Sequence, residues 1–177
     1  GGDAPWFGQT RTTYDGVSAA QSGNIGDSQE SWVQTTVTGP RLLSFWWKVS
    51  SEPTYDWLEF YTNNVRIHYR ITGEQGWEHV VLDLSPGPQT IRWRYVKDSG
   101  YSYGEDAAWL DEVSAKAPAA ITFSNLSQTY NGAGHPVSVT TSPPGLPVTL
   151  TYDGSYNAPT NAGTYEVTAT IDDANYY

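Results

Sequence analysis

The groups in this chain whose types and spacing suit chemistry are acids and aromatic rings. Glu52/Asp56, Glu105/Asp106 and Asp111/Glu112 are carboxylate pairs of the kind that glycoside hydrolysis employs as acid and base. Asp111 and Glu112 adjoin on a predicted strand, so their side chains are expected on opposite faces. His68, His79 and His135 fall in separate segments with no H-E-x-x-H pair, and read as surface or strand histidines. No G-x-S-x-G elbow occurs; Ser22 and Ser50-Ser51 read as partners of nearby backbone. The expectation is a non-enzyme with no catalytic residue and no required cofactor.

Aromatic rings beside arginines form the sharper pattern. Leu42 to Ser50 alternates, with Leu43, Phe45, Trp47 and Val49 pointing one way and Trp46 and Lys48 the other. Two more stretches repeat the period of two: Leu58 and Phe60, then Ile91, Trp93 and Tyr95, join the inward set. Trp46, Lys48, Trp57, Glu59, Tyr61, Arg92 and Arg94 are then expected together on the outer face. Rings flanked by hydrogen-bonding charges hold sugars, so Trp46, Trp57, Tyr61, Arg92 and Arg94 are the candidate glycan-binding residues, with Tyr101 and Tyr103 extending the platform. The competing reading has the arginines stacked over those rings, or the face covered by loops or by the second module.

The elements that must position these groups are strands. Glu30 to Thr38, Leu42 to Ser50, Asp56 to Thr62, Val65 to Ile71, Trp77 to Leu84, Thr90 to Lys97 and Ala107 to Ser114 carry strand patterns, and no segment has sustained helical periodicity. Gly39-Pro40, Asn63-Asn64 and Ser85-Pro86-Gly87-Pro88 read as turns between them, the first as a hairpin. All eight Trp and all nine Lys+Arg precede Ala117, after which the chain is rich in Thr, Pro and Gly. This divides it into a domain over 1–116, a linker over 117–120 and a smaller domain over 121–177. The latter has four strand-like stretches separated by Asn131-Gly132, Pro143-Pro144-Gly145, Asp153-Gly154 and Asn161-Ala162-Gly163, a spacing that favours an immunoglobulin-like sandwich. Tyr130, Tyr152, Tyr165 and Tyr176 are its expected core. It has no lysine, so an internal Lys-Asn isopeptide bond is excluded.

Charge and composition limit the partners. With 19 Asp+Glu against 9 Lys+Arg the net charge is -10, which opposes nucleic acid and anionic membranes. No apolar run is long enough to insert in a bilayer. The absence of Cys excludes disulfides and thiol chemistry, and the Thr, Ser, Tyr, Gly and Asn bias points to an extracellular or cell-surface bacterial protein.

Two resemblances cover nearly the whole chain. Residues 1–116, with GGDAPWFGQT, YDGVSAAQSGNIGDSQESW, GPRLLSFWWKVSSE, YDWLEFY, ITGEQGW, IRWRYVKD and DAAWLDEV, resemble a jelly-roll module of large bacterial surface and secreted proteins, similar in outline to MAM-type and concanavalin-like sandwiches. Residues 121–177, with ITFSNLSQTYNG, PVSVTTSPPGLPVTLTYDGS, APTNAGTY and ATIDDANY, resemble the bacterial Ig-like module called MBG, which occurs in tandem arrays. The implied fold class is all-β: an antiparallel jelly-roll sandwich followed by a smaller immunoglobulin-like sandwich lacking its last strand. Jelly-roll modules pin their first loops to the last strand with calcium, which makes Asp15, Asp27, Asp106 and Asp111 the implied structural Ca²⁺ ligands; solvated or hydrogen-bonded turn acids are the alternative. The module patterns also imply incomplete outer edges at Gly1 and Tyr177. Either these are boundaries within a longer protein, or the open edges add strands from neighbouring domains or copies of the chain. The function expected is structural or adhesive, in a surface protein or filament; the alternative is a carbohydrate-binding module with an Ig-like spacer.

Overall fold

The computed structural model describes residues 1–177 except the side chain of His68, so the histidine reading there lies outside the described residues. Two compact units divide the chain, residues 1–115 and 116–177. In the first, β1 (Phe7–Gln9), β2 (Ala19–Gln21), β3 (Glu30–Ser50), β4 (Trp57–Thr62), β5 (Val65–Ile71), β6 (Glu74–Val96) and β7 (Ala107–Lys116, which runs one residue past the unit) are ordered β1-β2-β7-β3-β6-β4-β5.

Two long strands make this a sandwich. β3 and β6 pair antiparallel along their whole length, from Glu30 opposite Val96 to Ser50 opposite Glu74. Neither Gly39-Pro40 nor the 85–88 stretch makes the turn their composition suggests. Gly39 lies opposite Gly87, and a register slip between Gly39 and Arg41 bends the paired strands together. A Cβ on Gly39 would stand 2.1 Å from the Ser85 carbonyl oxygen, so the bend requires glycine there. Val80 and Trp93 would be roughly 40 Å apart on a straight strand at ~3.3 Å per residue. Yet Phe45, opposite Val80, has its ring centroid 5.1 Å from that of Trp93. The strands therefore fold over, and their two halves belong to facing layers. On β6, β4 pairs only with Ile91–Val96, and β5 pairs with β4, which places β4 and β5 in one layer. The first half of β6 and the second half of β3 form the other with β7, β2 and β1.

Between the layers lie Leu43, Phe45, Trp47, Val49, Leu58, Phe60, Ile91, Trp93 and Tyr95, all 2% exposed or less. On β3 and β6 they alternate with half-buried residues, the period of two that the sequence carries, while on β4 Glu59 between Leu58 and Phe60 is buried as well.

The second unit contains β8 (Ala120–Ser124) paired with β9 (Ser138–Ser142), and β10 (Val148–Tyr152) paired with β11 (Val167–Ile171). Residues 117–120, expected as a linker, fall within the second unit, and Ala120 begins β8. Ala117 N–H donates to Asn175 O at 2.7 Å, and Ala119 N–H donates to Tyr177 O at 3.0 Å, because extended backbone next to another strand finds partners there. Tyr152 is buried and its hydroxyl accepts from Val137 N–H at 3.0 Å. Tyr130, expected in this core, is 63% exposed. Among the described residues, no helix is long and apolar enough to cross a membrane.

Candidate functional site

The outer face of the β4–β6 layer carries a closed charge network. Strand alternation directs Glu59, Tyr61, Arg92 and Arg94 away from the core, and the register places Glu59 opposite Arg94. Glu59, 5% exposed, accepts from Arg66 Nη1 at 2.6 Å, Arg94 Nη1 at 3.0 Å and the Tyr61 hydroxyl at 2.7 Å. Arg94 Nε also donates to Glu30 at 2.6 Å. Burial alone would push the Glu59 carboxyl up, but the hydrogen bonds from Tyr61, Arg66 and Arg94 outweigh it and hold it below its usual value. Burial and the bond to Glu59 push the Tyr61 phenol up.

A carboxylate depressed in this way lends stability that is fully present above its unfolded value of about 4.3, and loses it as the pH falls through the lower folded value. Glu59→Gln is expected to cost about 1–3 kcal/mol at neutral pH, since two charged donors then face a neutral acceptor. Urea unfolding at pH 7 and at pH 3 checks this: the difference between variant and parent should shrink in acid.

Two tryptophans on this layer carry an arginine over the ring. The Arg70 guanidinium lies 3.8 Å from the Trp57 ring centroid, and that of Arg92 lies 4.7 Å from Trp32 while its Nε donates to Gln34. Trp46 and Lys48 are on the other layer, so the expected single platform is divided between two faces of the sandwich. Sequence alternation reports inward against outward, but not which of two outward faces. Trp46 stacks on Tyr14 at 3.8 Å and on His79 at 4.7 Å; Lys48 sits 4.2 Å over Trp109. Of the candidate glycan residues, Tyr101 and Tyr103 are the most open, at 78% and 57% exposed.

The four implied calcium ligands do not assemble. Asp106 instead neutralises Lys97, whose side chain is 1% exposed and whose ammonium donates to Asp106 Oδ2 and to Ser102 Oγ. Its other oxygen accepts the Tyr95 hydroxyl at 2.8 Å; burial and this bond push the Tyr95 phenol far up. Asp27 is exposed and outside any acidic cluster found among the described residues. Asp15 and Asp111 do meet, together with Glu112, one carboxylate oxygen of each within 4.8 Å of the others. Glu112, at φ +50°, breaks the strand alternation that would have separated it from Asp111. Asp111 accepts from Tyr14 N–H at 2.7 Å and Glu112 N–H at 2.8 Å. The Tyr14 bond ties the loop after β1 to β7.

A second acidic group was legible in the sequence only as the pair Glu52/Asp56. Glu52 follows β3, Asp56 precedes β4, and Asp98 follows β6. Because Trp57 pairs with Val96, the ends of β4 and β6 coincide and Asp98 joins the pair, one oxygen of each within 4.8 Å of the others. Burial, with Asp98 and Asp56 nearby, pushes the Glu52 carboxyl up, and burial pushes Asp56 up despite its bond from the Asp98 amide. Of the serines expected to bond nearby backbone, Ser51 does, its Oγ donating to Asp56 O, whereas Ser22 Oγ accepts from the distant Ala108 N–H and Ser50 Oγ donates to the Glu74 carboxylate.

The architecture defines the first unit as an antiparallel β-sandwich in which two bent strands serve both layers. Residues 119–177 match the family model of the MBG domain. Among solved structures, the secreted serine protease VesC from Vibrio cholerae is similar at 20% identity and a TM-score of 0.52, over 64% of this chain and 23% of that one. This chain thus spans about a quarter of the protease's length, and the likeness is one of fold. The K1 cleaved adhesin domain of Lys-gingipain from Porphyromonas gingivalis W83 aligns at 18% identity and a TM-score of 0.45, over 65% of this chain and 85% of that domain. No curated protein matches.

Proposed function

We propose that this chain is a non-catalytic part of a larger extracellular bacterial protein, where the sandwich and the MBG-like unit do structural or adhesive work and join neighbouring domains or copies by strand addition. The observation that carries the reading is the second unit: it matches the MBG domain, and its strands form two-stranded sheets, β8–β9 and β10–β11, in which every strand is an edge strand. Unpaired edge donors and acceptors are a template for another strand. The likeness in fold to part of a secreted protease accords with an extracellular setting without assigning an activity here.

Light scattering and electron microscopy over a wide concentration range test strand addition. Ordered dimers or polymers with added β-structure are the expected result; a strict monomer at all concentrations sinks it. The exposure of Tyr101 and Tyr103 favours carbohydrate binding as the second reading. On a glycan array, binding lost in Tyr101→Ala and Tyr103→Ala but kept in Trp57→Ala would transfer the function to that loop.

A further inference from the structure

Two loops bring three acids to one end of the first unit's sandwich, Glu52 and Asp56 from the β3–β4 loop and Asp98 from the segment after β6, where Asp98 Oδ1 accepts the local Gly100 N–H at 2.9 Å. Asp56 is 0% exposed. Its Oδ1 accepts the Asp98 amide at 3.0 Å, whereas its Oδ2 is buried with no hydrogen-bond partner. Glu52 Oε2 is likewise buried and unpartnered. Among the described residues none of Glu52, Asp56 and Asp98 makes an ion pair, although Glu59 and Asp106 both do. Lys97, the nearby cation, directs its ammonium to Ser102 and Asp106. A buried carboxylate oxygen left bare is unfavourable, and either a proton or a bound cation relieves it.

We propose that Glu52, Asp56 and Asp98 form a calcium site that fastens the β3–β4 loop to the end of β6. Three carboxylates meeting within 4.8 Å supply hard oxygen donors for a cation of 6–8 coordination, with water and loop carbonyls for the remainder. Calcium suits this arrangement better than magnesium, which demands a tighter octahedron and gives up its water reluctantly. The backbone brings a third loop to the same place, since Ser28 N–H donates to the Asp98 carbonyl at 2.5 Å and Lys97 N–H to the Gln29 carbonyl at 3.1 Å. A cation held here would therefore brace the entry to β3 as well. This site is distinct from the Asp15–Asp111–Glu112 group, whose Asp111 oxygens already accept backbone N–H groups.

The test is calorimetric titration of the chelator-treated full chain with Ca²⁺, accompanied by thermal unfolding with and without the ion. The expected affinity is that of extracellular modules, a Kd of about 10⁻⁴–10⁻³ M. At about 10 mM Ca²⁺ the first unit's melting temperature should rise by roughly 4–10 °C. Both effects should vanish in Asp98→Asn and Glu52→Gln and persist in Asp15→Asn. Glu52 is only partly buried, so Glu52→Gln keeps the test in force if Asp98→Asn does not fold, circular dichroism being the check on each. A parent chain that ignores Ca²⁺, a response that survives in Glu52→Gln, or one lost only in Asp15→Asn overturns the proposal.

Discussion

Replacing Phe45 by alanine is expected to remove about 3–5 kcal/mol of stability from the first unit, the usual cost of deleting a buried aromatic ring. Phe45 is 0% exposed, and its ring centroid lies 5.1 Å from both Phe60 and Trp93 and 5.6 Å from Trp47. Three of these rings sit on different strands, so the hole would open where the two layers meet and no single neighbour can close it. Domains are stable by only about 5–15 kcal/mol, so the variant should melt roughly 10–25 °C lower. Urea titration followed by tryptophan fluorescence reads this directly. Tyr55→Ala is the control, since Tyr55 is 58% exposed and its loss should stay within about 0.5 kcal/mol. Comparable midpoints for the two variants would mean that the layers do not pack through Phe45.

Asp106→Asn is expected to cost about 2–4 kcal/mol, for an electrostatic reason rather than a packing one. The change keeps size and shape, and asparagine tolerates the left-handed backbone at φ +52°. It removes only the charge facing Lys97, whose side chain is 1% exposed against 21% for Asp106. A buried ammonium then has Ser102 Oγ and a neutral amide in place of its carboxylate. Adding Lys97→Met to Asp106→Asn should recover much of the loss, because the double variant no longer buries an unpaired charge. The same anchor secures the loop that presents Tyr101 and Tyr103, so its amides should exchange faster in Asp106→Asn. A double-mutant cycle with no coupling between the two positions would show that the pair is not what holds this loop.

The distance between reading and structure is clearest at the strands that carry these residues. Period-two alternation marked Phe45, Trp47, Leu58, Phe60, Ile91, Trp93 and Tyr95 as inward, and each is buried. Alternation reports a side chain's face relative to its own strand and nothing more. It therefore merged the outward residues of two layers into one platform, placing Trp46 with Trp57 and Arg94. Gly39-Pro40 and Ser85-Pro86-Gly87-Pro88 have turn composition, but each sits opposite the other across the β3–β6 ladder. Facing one another, they act as a shared bend, which composition at either position alone does not reveal.

The acids follow the same logic. Asp27 and Asp106 are loop acids and Asp111 lies on a predicted strand, settings that do not disclose what each will face. One is exposed, one balances Lys97, and one receives backbone amides from the first loop. Conversely, Glu52 and Asp98 stand far apart in the chain and meet because β4 begins beside the residue where β6 ends.

The sequence by itself determined the all-β class, the inward face of each strand and the change of character near Lys116, because each depends on residues within a few positions of one another. Only the tertiary structure decided which charges neutralise each other, which rings are already stacked and which carboxylates remain unpartnered. Those outcomes depend on the register and bending of strands distant in the chain, where a few ångströms separate a hydrogen bond from an unmet one.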